Sequence, residues 1–393
     1  MLDCTKLLCG TTHAADALRY RERGTGPADM LRYALDKRPV VVWNLTRRCN
    51  LRCVHCYASA QERGESVEVS LEEGLRFLED LAQFGCPVVL FSGGEPVLHP
   101  HLGELVAAAV RLGLRAVLST NGTLLTAEKA RELQQAGIAY VGVSLDGLEA
   151  TNDRFRGKAG AFREALRGIR HCAEAGIKVG LRFTLTRHNV ADLGPTLNLL
   201  RTEPVQRLCV YHLVYAGRGH DLVGEDLAHD ETRQAVSLIF DKAEEFHQEG
   251  LDKEVLTVDN HTDAPFLLQR LWARNDPLAE NALTLLRYNG GNNSGIGIAA
   301  VDWNGNVHPD QFWQHRSLGS VRERSFGQIW TDLSDPLLAA LKDRHEHLKG
   351  RCHDCRFLDI CNGNFRVRAE LVYGDVWAPD PACYLTDREI GVA

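Results

Sequence analysis

Cys49-Asn-Leu-Arg-Cys53-Val-His-Cys56-Tyr57 places three thiols within eight residues, directly after the apolar run 39–45. Three thiolates at C-x3-C-x2-C spacing on a loop after a strand can converge on one metal centre, whereas a cubane iron–sulfur cluster has four irons to ligate. The site is one protein ligand short. An open iron beside three fixed ones is a place where a small molecule binds and reacts, as the open position of a catalytic metal is.

Residues 39–214 around this loop repeat one theme: a short β-branched run, a polar loop, then a helical stretch ended by glycine. Strands are expected at 40–45, 88–92, 115–119, 140–144, 178–184 and 207–214. The helices between them stop before Gly85, Gly113, Gly137 and Gly176, and Ser70-Leu-Glu-Glu73 reads as a capping box. Alternating strands and helices imply an α/β fold whose parallel sheet is closed or partly closed into a barrel, with ligands at the C-terminal ends of the strands.

The polar sequences fall at those ends. After the cysteine loop come Ser92-Gly93-Gly94-Glu95-Pro96, then Ser119-Thr120-Asn121-Gly122, then Ser144-Leu-Asp146-Gly147, with Arg182 and Thr184 on the fifth strand. The two glycines let backbone amides approach a ligand, Glu95 offers a carboxylate to an ammonium group, and Arg182 is a carboxylate fork. Each alone is a weak signal, since a lone Gly-Gly-Glu or Asn-Gly is more often a plain turn and a strand-end Asp is often a helix cap. Their occurrence in order on one rim is what points to a binding site.

At 393 residues and net charge −7, with ordinary apolar and charged fractions, the chain has room for two or three domains. The negative balance argues against nucleic acid or an anionic membrane as partner, and no apolar run approaches spanning length, so a cytoplasmic protein is expected. Twelve cysteines in such a chain suggest metal ligation more than disulfides.

A second set, Cys352-His-Asp-Cys355, Cys361 and Cys383, has C-x2-C-x5-C-x21-C spacing, enough for a complete four-thiolate site. The pair Cys352/Cys355 alone would suit a structural zinc. Upstream, the stretch 299–310 alternates like two strands joined at Asn304-Gly305, a hairpin turn.

With these motifs in view, residues 39–219 resemble a radical S-adenosylmethionine (SAM) enzyme core, a partial (β/α)6 barrel. The resemblance implies a [4Fe-4S] cluster on Cys49, Cys53 and Cys56, with His55 in the usual aromatic slot. It implies SAM held by Gly93, Gly94, Glu95, Asn121, Ser144, Asp146 and Arg182, and a low-potential electron donor such as flavodoxin or ferredoxin. The stretch 299–310, with Leu318-Gly-Ser-Val-Arg322 and Phe326-Gly-Gln-Ile-Trp330, resembles the SPASM extension, which houses auxiliary clusters. Asp310 and Asn364 stand where that extension usually carries cysteines, so one auxiliary [4Fe-4S] cluster is expected, on Cys352, Cys355, Cys361 and Cys383. The total is two clusters.

A narrower resemblance is carried by Val42-Trp-Asn-Leu-Thr-Arg-Arg-Cys49, Tyr140-Val-Gly-Val-Ser-Leu-Asp-Gly147, Tyr215-Ala-Gly-Arg-Gly219, Asn306-Val-His-Pro-Asp310 and Cys361-Asn-Gly-Asn-Phe-Arg-Val-Arg368. These are similar to the subfamily that trims side chains from didecarboxysiroheme, an iron tetrapyrrole. Lys6-Leu-Leu-Cys-Gly10 and Asp16-Ala-Leu-Arg-Tyr20 look closer to the branch that removes acetates from 12,18-didecarboxysiroheme, giving Fe-coproporphyrin III, than to the haem d-type branch that removes propionates. A SPASM-type peptide maturase and a non-enzymatic metal-binding protein are the alternatives.

A polycarboxylate macrocycle needs an apolar slot and cationic forks, and its iron can also take an axial ligand. Arg47, Arg48, Arg218, Arg366 and Arg368 are the candidate forks, Phe312 and Trp313 the stacking surfaces, and His212 and His308 the candidate iron ligands or proton donors. The remaining divisions are a polar arm 1–38 carrying Cys4 and Cys9, a helical connector 220–285, in which the His261 stretch shows no identifiable chemistry, and the SPASM-like domain 286–393. Cys86, Cys172 and Cys209 read as small buried hydrophobes. The run Asn289-Gly-Gly-Asn-Asn-Ser294 reads as a loop able to shape a pocket.

Overall fold

Both faces of most strands are buried in the computed structural model, which describes residues 1–12, 19, 38–62 and 68–392. The strands are β1 (Leu2–Asp3), β2 (Val40–Asn44), β3 (Val88–Ser92), β4 (Arg115–Thr120), β5 (Tyr140–Ser144), β6 (Val179–Leu185), β7 (Arg207–His212), β8 (Glu254–Val258), β9 (Ile298–Val301), β10 (Asn306–His308) and β11 (Gly319–Ser320). They form one sheet in the order β1-β8-β7-β6-β5-β4-β3-β2-β9-β10-β11. Every neighbouring pair from β2 to β8 is parallel. The six expected strands are β2 to β7, with ends within two residues of those read from the sequence.

Alternation along the strands separates two layers. Val41, Trp43, Val89, Phe91, Leu118, Val141, Leu181, Phe183 and Val210 are sealed against the outer helices. Their neighbours Val42, Leu90, Val117, Arg182 and Tyr211 face a central cavity. The helix Leu71–Phe84 starts on the expected capping box of Ser70 and Glu73 and stops at Gly85, whose φ of +85° is the left-handed turn that favours glycine. A side chain at Gly74 would fall 2.9 Å from the Trp43 ring, which is why this helix seats so closely on β2.

Two expectations change. The connector 220–285 is not purely helical, because Glu254–Val258 pairs with β7 as a seventh parallel strand. The arm is not simply polar: Leu2–Asp3 pairs antiparallel with β8, and the short helix Cys4–Cys9 buries Cys4, Leu7 and Leu8. Cys4 and Cys9 lie outside the cavity lining; Cys9 Sγ sits 3.9 Å from the Ala243 carbonyl. The stretch 16–20 lies outside the described residues except for Arg19, which pairs with Asp3 and Glu254.

The C-terminal extension joins the barrel rather than hanging from it. β9 pairs parallel with β2, and β10 returns antiparallel after a turn at Gly305, with φ +88°, as the Asn304-Gly305 reading expects. No helix among the described residues is long and apolar enough to cross a membrane.

Candidate active site

Cys49, Cys53 and Cys56 share one cavity of about 500 Å³ with the strand-end residues Ser92, Gly93, Gly94, Asn121, Ser144, Arg182 and Thr184. Burial pushes the Cys49 thiol up to about 12, with Cys53 and Cys56 adding to the rise. Burial also raises Cys53, against the pull of Arg156. Thiols gathered under such a penalty ionise only when a cationic centre supplies the opposing charge, so the donor set fits a bound metal cluster. Among the described residues no three His, Cys, Asp or Glu side chains converge closely enough to hold one metal ion.

The glycines after β3 line the cavity and also pack tightly on the chain entering the cysteine loop. A Cβ at Gly93 would fall 2.5 Å from the Thr46 carbonyl oxygen, and one at Gly94 would fall 2.1 Å from that of Arg48. Gly94 N–H donates to Thr46 O at 2.7 Å and Glu95 N–H to Arg48 O at 2.8 Å, so this segment is stitched to the chain entering the cysteine loop. Glu95 is fully buried and absent from the cavity lining. Its carboxylate accepts from Thr120 Oγ1 at 2.7 Å, Asn121 N–H at 2.8 Å and Val97 N–H at 3.0 Å. It ties loops together and is not free for an ammonium group.

Asp146 is likewise sealed. One oxygen accepts from Thr184 N–H at 2.7 Å; the other is ion-paired with Arg156 and lies 3.5 Å from His55 Nε2. The ribose-facing position read from the sequence is not where this carboxylate points. His55 stacks on Phe155 at 4.7 Å, and burial lowers its imidazole to about 4. Asn121 does reach the site, with Nδ2 2.9 Å from Asn50 Oδ1 and 3.9 Å from Cys49 Sγ. Arg182 lines the cavity over Tyr211 and donates to Ser119 Oγ, and it has no carboxylate partner among the described residues.

Of the candidate substrate residues, Arg218 and Phe312 are brought to the cavity. Arg218 donates to the carbonyls of Cys53 and Ala60, each at 2.8 Å, and its Nη2 is buried without a partner. The others are structural. Arg47 stacks on Trp303, and Arg48 donates to Leu98 O at 3.3 Å. Arg366 donates to the carbonyls of Val376, Ala378 and Gly363. Arg368 pairs with Asp380 at 3.0 Å and donates to Leu213 O and Asp259 O. Trp313 is fully buried on Glu370. His308 donates through Nδ1 to Arg316 O at 2.8 Å and lies outside the cavity. His212 lines it, with Nε2 2.9 Å from Asp263 Oδ2.

Cys352, Cys355, Cys361 and Cys383 are all free, half-buried thiols. Burial pushes the Cys361 thiol well up, and Cys383, Cys352 and Cys355 add to the rise. The two positions where cysteines were expected to be missing have other work. Asp310 accepts from Ser294 Oγ and from Phe312 N–H at 2.8 Å, and it lines the cavity with Asn292, Asn293 and Ser294. Asn364 accepts from His261 N–H at 2.8 Å and donates to Asn260 Oδ1 at 2.8 Å and Thr262 Oγ1 at 3.2 Å.

Three residues were missed. Arg156, at the end of the helix Glu149–Arg156, reaches Cys53 Sγ at 3.5 Å. Asp259 and His261 line the cavity beyond β8, and burial pushes the Asp259 carboxyl up to about 7. The signal for these two was the β-branched run Val255-Leu-Thr-Val258, which marks a strand end inside a helix-rich stretch.

Known proteins match this arrangement. The radical SAM superfamily matches residues 43–200, and SPASM, an iron–sulfur cluster-binding domain, matches 294–356. The Fe-coproporphyrin III synthase of Methanosarcina barkeri is 56% identical over 395 residues, covering 100% of this chain and 99% of that protein. The pre-heme d1 synthase of Dinoroseobacter shibae is 45% identical over 360 residues, covering 91% and 88%. The crystal structure of Streptococcus suis SuiB bound to S-adenosylmethionine superposes with a TM-score of 0.70 at 17% identity, covering 91% of this chain and 80% of that one. A radical SAM domain followed by a SPASM iron–sulfur domain implies two [4Fe-4S] clusters, with SAM the family's partner at the first, and the chain belongs to the radical SAM superfamily, in its SPASM-bearing haem-biosynthesis group.

Proposed function

We propose that the protein removes acetate side chains from 12,18-didecarboxysiroheme, giving Fe-coproporphyrin III. The observation that carries this reading is the cavity itself, which joins the cysteine triad to a slot of two characters. Val40, Val42, Val88, Leu90 and Val117 make one part of the lining apolar, while Arg182 and Arg218 bring cations to another. An apolar plane edged with carboxylates fits such a slot, and the full-length likeness to an enzyme named for Fe-coproporphyrin III supports the choice.

When bound, SAM and the reduced cluster supply a 5′-deoxyadenosyl radical that abstracts hydrogen from the substrate. The chain's own residues position and shield. Arg218 and Arg156 brace the cysteine loop, while Asn121, Ser144 and Arg182 present polar groups where SAM would sit. The auxiliary cluster, with four cysteine ligands, is closed to substrate and suited to electron transfer, and a flavodoxin or ferredoxin would supply electrons.

The test is mass spectrometry of the tetrapyrrole after anaerobic incubation with SAM and a reductant. Loss of two acetates per macrocycle supports the proposal. Loss of propionates assigns the chain to the haem d-type branch, and modification of a peptide with an untouched tetrapyrrole sinks both.

A further inference from the structure

His261 sits on the loop after β8 with its ring open to the cavity, and among the described residues neither ring nitrogen has a hydrogen-bond partner. Its backbone is anything but free. Asn364 accepts from its N–H and at the same time holds Asn260 and Thr262 on either side, and Arg368 fixes the Asp259 carbonyl two residues earlier. Asn364 and Asp259 both adopt left-handed backbone, φ +56° and +67°, a conformation uncommon for residues other than glycine. A loop so firmly braced around an unpartnered imidazole is built to present it.

The same wall is aromatic. The His261 ring is nearly parallel to Phe365, at 6.2 Å and 11°. Phe365 packs on Phe312 at 5.6 Å, and Phe312 on Tyr57 at 5.3 Å, beside Cys56. A rank of aromatic rings therefore runs from the cysteine loop to His261 along one cavity.

We propose that His261 binds the iron of the tetrapyrrole substrate as an axial ligand. The inference rests on the substrate reading above and goes beyond it by assigning the residue that fixes the macrocycle. Burial holds the imidazole far below its ordinary range, so the ring is neutral and its lone pair is available to a metal. His212, the other imidazole on the cavity wall, is less suited. Its Nε2 is taken by Asp263, which Tyr384 also grips at 2.7 Å, leaving only the nitrogen nearest the backbone. A carboxylate behind a histidine strengthens its hold on a metal. His261 has none, which suits a ligand whose iron must leave with the product.

Ferrous coproporphyrin III, added anaerobically to the cluster-loaded protein, is the probe, and resonance Raman excited in its Soret band is the readout. Wild type and His212→Ala should show an iron–imidazole stretching band. His261→Ala should lose it, bind the probe about tenfold or more weakly, and regain the band when imidazole is added. His261→Gln serves the same comparison if the alanine variant fails to hold its clusters. A band that persists without His261, or one that His212→Ala alone abolishes, overturns the assignment. Binding by wild type with no such band also overturns it while leaving the substrate reading intact. If wild type binds no iron tetrapyrrole at all, the substrate reading falls and the inference with it.

Discussion

Arg156 and Asp146 form an ion pair sealed from solvent, and the same guanidinium donates to Cys53 Sγ at 3.5 Å. A buried charge stripped of its partner costs about 3–5 kcal/mol. Asp146→Ala should therefore destabilise the protein by several degrees and loosen the Cys53 arm of the first cluster. Iron per chain should fall from about eight toward about four, with the auxiliary cluster retained. Unchanged iron content together with an unchanged melting temperature would show that the pair is incidental to the cluster.

The close approach of Gly94 to Arg48 gives a second prediction. A methyl group 2.1 Å from a backbone oxygen cannot be absorbed by side-chain rotation, so Gly94→Ala must push apart the two loops that meet there. Overpacking of this kind typically costs about 1–3 kcal/mol. SAM cleavage should drop at least tenfold, since the displaced loop carries the cysteines. Wild-type cleavage by a stably folded variant would refute the idea that these glycines serve loop-to-loop contact.

The two cysteine sets should divide their work. Cys53→Ala removes one of three ligands from the open cluster and should abolish SAM cleavage. Cys355→Ala removes one of four from the closed cluster; it should spare much of that cleavage and impair tetrapyrrole turnover. Cleavage assays that separate 5′-deoxyadenosine from tetrapyrrole product decide this, and equal loss of cleavage in both variants would count against it.

How far the sequence reaches depends on how local the cause is. β2 to β7 are legible because their buried faces demand β-branched runs between polar loops, and the cysteine triad because its spacing is local. β8 is hidden since its few apolar residues sit between long amphipathic helices, and with it Asp259 and His261 are lost from view. Glu95 and Asp146 are recognisable as strand-end carboxylates, yet what they hold is not. Their partners Asn121 and Thr184 lie 26 and 38 residues away, and only the barrel brings them together. Arg366 and Arg368 mislead for the same reason: charge in a sequence does not say whether carbonyls or solvent will receive it.

Lys342 carries the clearest pH signature. Its ammonium group is buried on the helix Pro336–Lys342, donating to Trp330 O at 2.7 Å over the Trp330 ring, and burial lowers it from 10.5 to about 8, with Arg38 adding to the shift. Between those values the unfolded chain binds more protons than the folded one, so stability rises with pH through this window. Below pH 8 both forms are charged and the full penalty stands, at most about 3 kcal/mol. Lys342→Met removes the charge but leaves the Trp330 carbonyl without its donor, a loss of about 1 kcal/mol. The variant should thus melt above wild type at pH 7, and its advantage should shrink steadily from pH 8 to 10.5 and then reverse. Thermal unfolding of both proteins across that range is the check, and a difference that stays constant with pH would show that the group is not held below its ordinary value.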